Sequence, residues 1–178
     1  MRRVLVTGNA GSGKTTLAAA LGAQLELEVI GLDRVVWRPR WQKAPPEERR
    51  AAEAEIAARP AWVVDGVSRT ILAAADLVVF LDLPRPVCLW RGVRRCLRSL
   101  FRSRPELPER CPEILILPHL VRLIWRFPVQ TRPGILAGAQ GRRFVHLQSA
   151  AEVRTLLAAV EAEGLVALER ASRDAANP

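Results

Sequence analysis

The chain has 178 residues, 49% of them apolar, with a formal net charge of +9 and three cysteines. That length sets one domain as the expectation, and the apolar content is enough for a real core. The chain contains no run of 18 apolar residues and its N-terminal apolar stretch, Val4–Val6, is far too short for a signal peptide, so a soluble cytoplasmic protein with no membrane partner is expected.

The first predicted strand, Arg3–Thr7, leads through Gly8-Asn9-Ala10-Gly11-Ser12-Gly13-Lys14-Thr15-Thr16 into a predicted helix over Lys14–Leu25, whose Leu17, Leu21 and Leu25 stand at i, i+4 and i+8. Strand, glycine turn and helix together make a complete G-x-x-x-x-G-K-[ST] P-loop in the context that gives it meaning. The glycines let successive backbone N–H groups turn toward one point, and the helix adds its positive N-terminus. Lys14 supplies a point charge for β- and γ-phosphates and Thr15 a hydroxyl for Mg²⁺. The predicted ATP-binding set is therefore Gly8, Ala10, Gly11, Ser12, Gly13, Lys14, Thr15 and Thr16. Of 27 basic residues only Lys14 and Lys43 are lysines, which makes a lysine at the motif position less a matter of chance.

A second strand, Glu28–Leu32, ends at Asp33. A carboxylate at this edge orients or deprotonates an acceptor hydroxyl, sits in the outer Mg²⁺ shell, or caps the next turn. Trp37-Arg38-Pro39-Arg40-Trp41 follows, two tryptophans around a rigid turn. They read equally as a flat acceptor pocket and as anchors of the loop. A helix is predicted from Pro45-Pro46 to Arg59, stopped by Pro60.

The third strand, Trp62–Asp65, carries Asp65 to the carboxyl edge of a sheet, where it is the expected metal carboxylate, with Gly66 and Arg69 just beyond. The fourth, Leu77–Leu81, ends at Asp82, which competes for the metal or caps the helix predicted from Pro86 to Arg102. On that helix Arg91 and Arg95 stand one turn apart and share a face, suited to phosphate.

Ser103–Pro112 reads as a loop because its prolines forbid regular structure, and Glu113–Phe127 reads as helical. Arg126 and Arg132 flank Phe127-Pro128 at the far hinge of a lid, and Arg132 joins Lys14, Asp33, Arg91 and Arg95 as a catalytic candidate. The fifth strand, Arg143–Leu147, precedes a closing helix over Ala150–Glu163. Between Arg85 and Arg143 stand 13 Arg against three acids, Glu106, Glu109 and Glu113. This block reads as a lid over polyphosphate, a nucleic-acid patch, or a solvated basic face. Cys88, Cys96 and Cys111 lack C-x-x-C spacing and read as packing residues or free thiols. His119 and His146 are isolated and read as structural.

Short apolar strands alternating with helices predict an α/β fold with a parallel sheet covered on both faces. One domain over 1–170 is expected, with a lid at about 96–132 and a disordered tail at 171–178.

The P-loop, Val63-Val64-Asp65-Gly66, Val79-Phe80-Leu81-Asp82-Leu83-Pro84, and Arg91 with Arg95 resemble adenylate-kinase-type P-loop kinases. More narrowly, Leu32-Asp33 with Trp37-Arg38-Pro39-Arg40-Trp41, Asp65-Gly66 with Ser68-Arg69-Thr70, and Cys88-Leu89-Trp90-Arg91 resemble the bacterial DNA topology modulation proteins, over roughly residues 3 to 160. The resemblance implies a P-loop NTPase three-layer α/β/α fold whose five parallel strands lie in the order 2-3-1-4-5, with the lid between the fourth and fifth. It also implies Arg91 against adenine, Arg95 on phosphate, and Gln148-Ser149-Ala150 edging the base. Two departures concern the acceptor side. Similar proteins carry Asn-Tyr after Asp-Gly where this chain has Val67, and the adenylate kinases proper carry a longer AMP-binding region, in which Arg69 is the substitute arginine.

The expectation is an Mg²⁺-dependent phosphotransferase moving the γ-phosphate of ATP to a small acceptor of nucleoside or nucleotide type. Lys14 binds phosphates, Thr15 and Asp65 hold the metal, and Asp33, Trp37, Trp41, Gly66 and Arg69 form the acceptor side. The alternatives are a nucleotide-dependent DNA-associated regulator, and a P-loop ATPase with no small acceptor.

Overall fold

The computed structural model describes residues 2–98 and 113–174. Its elements, in chain order, are β1 (Arg3–Gly8), α1 (Lys14–Leu25), β2 (Val29–Gly31), α2 (Asp33–Val36), β3 (Trp37–Arg38), β4 (Gln42–Lys43), α3 (Pro46–Ala58), β5 (Trp62–Asp65), α4 (Arg69–Ala74), β6 (Leu77–Leu81), α5 (Arg85–Arg98), α6 (Leu117–Gln130), α7 (Arg132–Ala139), β7 (Arg143–Leu147), α8 (Ala150–Glu163) and α9 (Leu165–Asp174). Five parallel strands form one sheet in the order β2-β5-β1-β6-β7, while β3 and β4 pair separately as an antiparallel hairpin. Counted without that hairpin, the order is the expected 2-3-1-4-5.

The central strands β1, β5 and β6 are buried on both faces, so they read as unbroken apolar runs rather than alternating ones. Alternate residues of β1 serve opposite layers. Val4 and Val6 pack with Leu17 and Leu21 of α1 and with Leu156, Val160 and Leu168 of α8 and α9. Leu5 packs with Ile56 of α3, Ile71 and Leu72 of α4, and Ile135 of α7. A third cluster joins α5 to α6 through Cys88, Cys96, Leu120 and Ile124. These three layers carry every sheet-edge residue discussed below to the carboxyl ends of the strands.

Local signals account for the boundaries. The Ser68 hydroxyl caps α4 by accepting from the Ile71 N–H. Ser149 caps α8 by accepting from the Glu152 N–H, while Glu152 reaches back to the Gln148 N–H and the Ser149 hydroxyl. That acceptance holds the Glu152 carboxyl below its ordinary range. At the opposite end of the sheet, the Arg3 guanidinium and the Arg2 and Arg3 N–H groups all donate to Asp76, which tethers the start of β1 to the loop before β6.

Two expectations need correction. The chain continues from α8 into α9, so the segment expected as tail is helical through Asp174; residues 175–178 lie outside the described part. The stretch around Trp37 and Trp41 is a short hairpin rather than a bare turn. At the flanks of the expected lid, α5 is described through Arg98 and a 3-10 turn from Glu113, while the loop Ser103–Pro112 and Cys111 lie outside the described residues. Among the described residues no helix is long and apolar enough to cross a membrane.

Candidate functional site

The carboxyl end of β1 delivers the chain into the loop from Gly8 to Thr16 that opens α1. Within it Gly11 and Gly13 adopt left-handed φ of 77° and 98°, a conformation open to glycine at little cost. At Gly11 space is closed as well, since a Cβ would lie 2.2 Å from the Cys88 carbonyl oxygen of α5. The loop is braced from inside by Asn9, 2% exposed, whose side-chain oxygen accepts from the Ala10 N–H and whose Nδ2 donates to the Ile124 carbonyl of α6 at 3.0 Å. Arg91 of α5 donates from its guanidinium to the Ser12 carbonyl at 3.2 Å. Loop, α5 and α6 are thus one packed unit around a helix N-terminus whose N–H groups can receive an anion.

Beside Lys14, the Thr15 hydroxyl donates to Asp65 Oδ2 at 2.5 Å. Asp65 is 8% exposed and sits at the end of β5 in register with Val6 of β1, so the sheet itself sets this pairing. A hydroxyl and a carboxylate oxygen converging beside a phosphate-type cradle suit Mg²⁺, which takes few protein ligands and keeps its waters. Among the described residues no group of three or more His, Cys, Asp or Glu side chains offers a fuller metal cage.

A cavity of about 370 Å³ opens from this loop. Its walls bring together Lys14, Thr15, Asp33, Trp37, Trp41 and Gly66, with Arg95 from α5. Asp33 begins α2, directly after β2, on the rim. Trp37 and Trp41 meet edge to face, with ring centroids 5.2 Å apart, and Lys43 lies over the Trp37 ring. Arg40 and Trp41 both hold left-handed φ, 62° and 58°, an unfavourable conformation for side chains of this size, which turns the hairpin so that Trp41 reaches the cavity. Gly66 is required because a Cβ there would lie 2.7 Å from Cβ of Leu32.

The sequence reading missed the opposite wall. His119, Leu120, Leu123 and Phe127 of α6, with Thr131, line the same cavity, so the helix expected only to pack against a lid forms one side of the cleft. His119, read as structural, is exposed on that wall. Nothing in a lone histidine on an amphipathic segment signals this.

Three candidates stand elsewhere. Arg69 lines a neighbouring cavity between α4 and α7 rather than the one holding Asp33. Arg132 donates through Nε to Asp82 Oδ2 at 2.8 Å, and His146 Nε2 lies 2.9 Å from the same oxygen with its ring stacked on Phe80. Arg132 is therefore anchored to the carboxylate that ends β6, where the sequence reading had it as a closing arginine. Asp82 Oδ2 thus serves both of these side chains. Cys88 is buried beneath the loop, and burial pushes its thiol up to about 11 despite Arg91 and Lys14 nearby, which makes it a packing residue.

Among solved structures, the chain is similar to shikimate kinase from Acinetobacter baumannii in complex with shikimate, at 18% identity over 93% of this chain and 96% of that one, with a TM-score of 0.56. It is likewise similar to shikimate kinase from Bacteroides thetaiotaomicron, at 16% identity over 90% and 96% of the two chains, with a TM-score of 0.53. At these identities the likeness shows the fold alone, an α/β fold shared with those two shikimate kinases. No protein-family model and no curated protein matches the chain, so the narrower likeness to topology modulation proteins rests on its motifs alone.

Proposed function

We propose that this chain is a phosphotransferase that moves the γ-phosphate of ATP to a hydroxyl of a small acceptor with the help of Mg²⁺. The observation that carries the reading is the one cavity onto which Lys14, Thr15, Asp33 and Arg95 all open, with the Thr15 hydroxyl bonded to Asp65. Phosphoryl transfer needs positioning and charge neutralisation more than covalent help from the protein, and these residues supply both. The loop N–H groups and Lys14 hold the β- and γ-phosphates. Thr15 and Asp65 hold Mg²⁺, which when bound neutralises charge on the phosphate oxygens. Arg91, seated against the loop, and Arg95, one turn further, flank the nucleotide from α5.

Asp33 receives the acceptor on the far side of the cavity, where its carboxylate orients the attacking hydroxyl and accepts its proton. Trp37 and Trp41, set edge to face, give the acceptor an apolar wall, and α6 closes the other side, which excludes water that would otherwise compete as acceptor. The acceptor is a compact hydroxyl compound, in keeping with walls made of Leu32, Val36, Leu120 and Phe127.

The test is ADP release measured with nucleosides, nucleoside monophosphates, and small hydroxy acids and sugars. Release that rises with one acceptor class, with the phosphorylated product identified by mass, is the expected result. Hydrolysis of ATP indifferent to every acceptor would replace the kinase by a simple ATPase.

A further inference from the structure

α5 and α6 pack against each other through Cys88, Cys96, Leu120 and Ile124, and each turns its opposite face outward. A surface helix ordinarily carries charged and polar residues on that side. Here the outward stripe of α5 is Val87, Trp90, Arg94 and Leu97, at i, i+3, i+7 and i+10, and all four are exposed. On α6 the exposed stripe is Pro118, Arg122, Trp125 and Val129, at i, i+4, i+7 and i+11. Trp90 and Trp125 are each 60% exposed and Val129 is 79% exposed, so large apolar side chains stand in water on both helices. Apolar residues exposed singly are ordinary, but stripes of them on two packed helices mark an interaction surface.

The cations of these helices divide by face. Arg91 donates to the P-loop and Arg95 lines the cleft, whereas Arg85, Arg94, Arg98, Arg122 and Arg126 are exposed. None of those five pairs with an acid among the described residues, and neither α5 nor α6 contains an Asp or Glu. The Arg94 guanidinium lies 4.9 Å from the centre of the Trp90 ring. That of Arg85 reaches from α5 to α6 and lies 4.8 Å from the centre of the Trp125 ring, which joins the two helices at their outer edge. The surface is therefore apolar and basic together, with no charge of the other sign built into it.

We infer that the outer face of α5 and α6 docks this protein on an anionic phospholipid membrane, lying on the bilayer surface. Such a surface uses both parts of the patch at once: indole and aliphatic groups sink into the headgroup boundary, while the guanidinium forks bind lipid phosphates. A single-stranded nucleic acid fits less well. It needs free ring faces for stacking, and a guanidinium already covers one face of each tryptophan, while Val87, Leu97 and Val129 offer a phosphodiester chain nothing. The ground for expecting no membrane partner, the lack of a spanning segment, concerns crossing a bilayer rather than resting on one.

The full chain is sedimented, without nucleotide, with vesicles of phosphatidylcholine alone or with about 30% phosphatidylglycerol. Binding to the anionic vesicles and not to the neutral ones is expected, with tryptophan fluorescence quenched when the lipid tails are brominated. A chain of net charge +9 would adhere to anionic vesicles through charge alone, so the deciding variants keep the charge. Trp90→Ala combined with Trp125→Ala should weaken binding at least about tenfold and abolish the quenching. Both side chains stand outside the core, and circular dichroism checks the fold. Leu97→Gln combined with Val129→Gln serves if that pair does not fold, with a loss of at least about threefold. No binding to anionic vesicles, no quenching by brominated tails, or undiminished binding in the folded variants would overturn the inference. Binding of a single-stranded oligothymidylate that the tryptophan pair abolishes, with vesicles left unbound, would overturn it too and give the surface to nucleic acid.

Discussion

Asn9 and Ile124, 115 residues apart in the chain, are joined by a buried hydrogen bond from the Asn9 side chain to the Ile124 backbone at 3.0 Å. The bond fastens the P-loop to α6, the helix that walls the acceptor cleft. Asn9→Ala leaves a buried carbonyl unpartnered, and stability should fall by about 1–3 kcal/mol. Because the loop loses its brace, ATP affinity should fall with it. Denaturant melts and nucleotide titration check this; an unchanged nucleotide affinity in a destabilised variant would show that the brace serves folding alone.

Lys14→Ala should lower turnover at least a hundredfold with the fold intact, since it removes the one lysine aimed at the phosphates without touching the core. Circular dichroism and the melting temperature establish the fold, and ADP release gives the rate. Retention of activity in a folded variant would end the central reading.

Asp33→Asn separates two roles. If Asp33 serves the acceptor hydroxyl, turnover should drop by about two to four orders of magnitude while ATP affinity stays near the parent's. If both fall together, Asp33 belongs to the metal shell. Its position at the start of α2, on the cleft wall that also carries Trp37 and Trp41, favours the first outcome.

How much of this was legible in the sequence depends on how local each signal is. The P-loop and the strand ends were readable because one short stretch carries both the backbone geometry and the chemistry: Gly11, Gly13 and Lys14 need no distant partner to be recognised. Asp65 was readable because an apolar run that ends in a carboxylate marks the edge of a sheet. The Arg132–Asp82–His146 cluster was not, since its three members lie on separate elements and each alone is an ordinary side chain. α9 escaped because helix α8 ends at Gly164, a C-terminal stop signal, and the apolar start of the next segment, Leu165 to Leu168, is followed by a charged stretch that resembles a tail. The wall formed by α6 was hidden for a different reason: amphipathic spacing shows that a helix has an inner face, and says nothing of which cleft its remaining residues border.

Gly11→Ala should be severely destabilising, because the added methyl group meets the Cys88 carbonyl at 2.2 Å in a backbone conformation already unfavourable to alanine. Loop and α5 would have to separate. The thiol of Cys88, buried in the parent, should then react with a thiol reagent under native conditions, and the rate of that reaction reports the separation. A parent-like rate would show that the loop gives way instead of α5.

Acid should release the tether at the other end of the sheet. Burial works to raise the Asp76 carboxyl, but the hydrogen bonds and charge from Arg3, with the Arg2 and Arg3 N–H groups, outweigh it and hold the group at about 2, below its ordinary 3.8. A depressed carboxylate stabilises the folded state fully above the unfolded value and loses that contribution as pH falls through the folded one. The window is therefore between about pH 4 and pH 2. The Arg3 side chain is 37% exposed, so solvent screens the pair and a contribution of about 1–2 kcal/mol is expected at neutral pH. Asp76→Asn should cost that amount at pH 7 and only a small part of it at pH 2, where the parent carboxyl is itself about half protonated. Denaturant melts of both proteins across this range measure the difference directly, and a gap that persists undiminished at pH 2 would assign the effect to lost hydrogen-bond geometry rather than to charge.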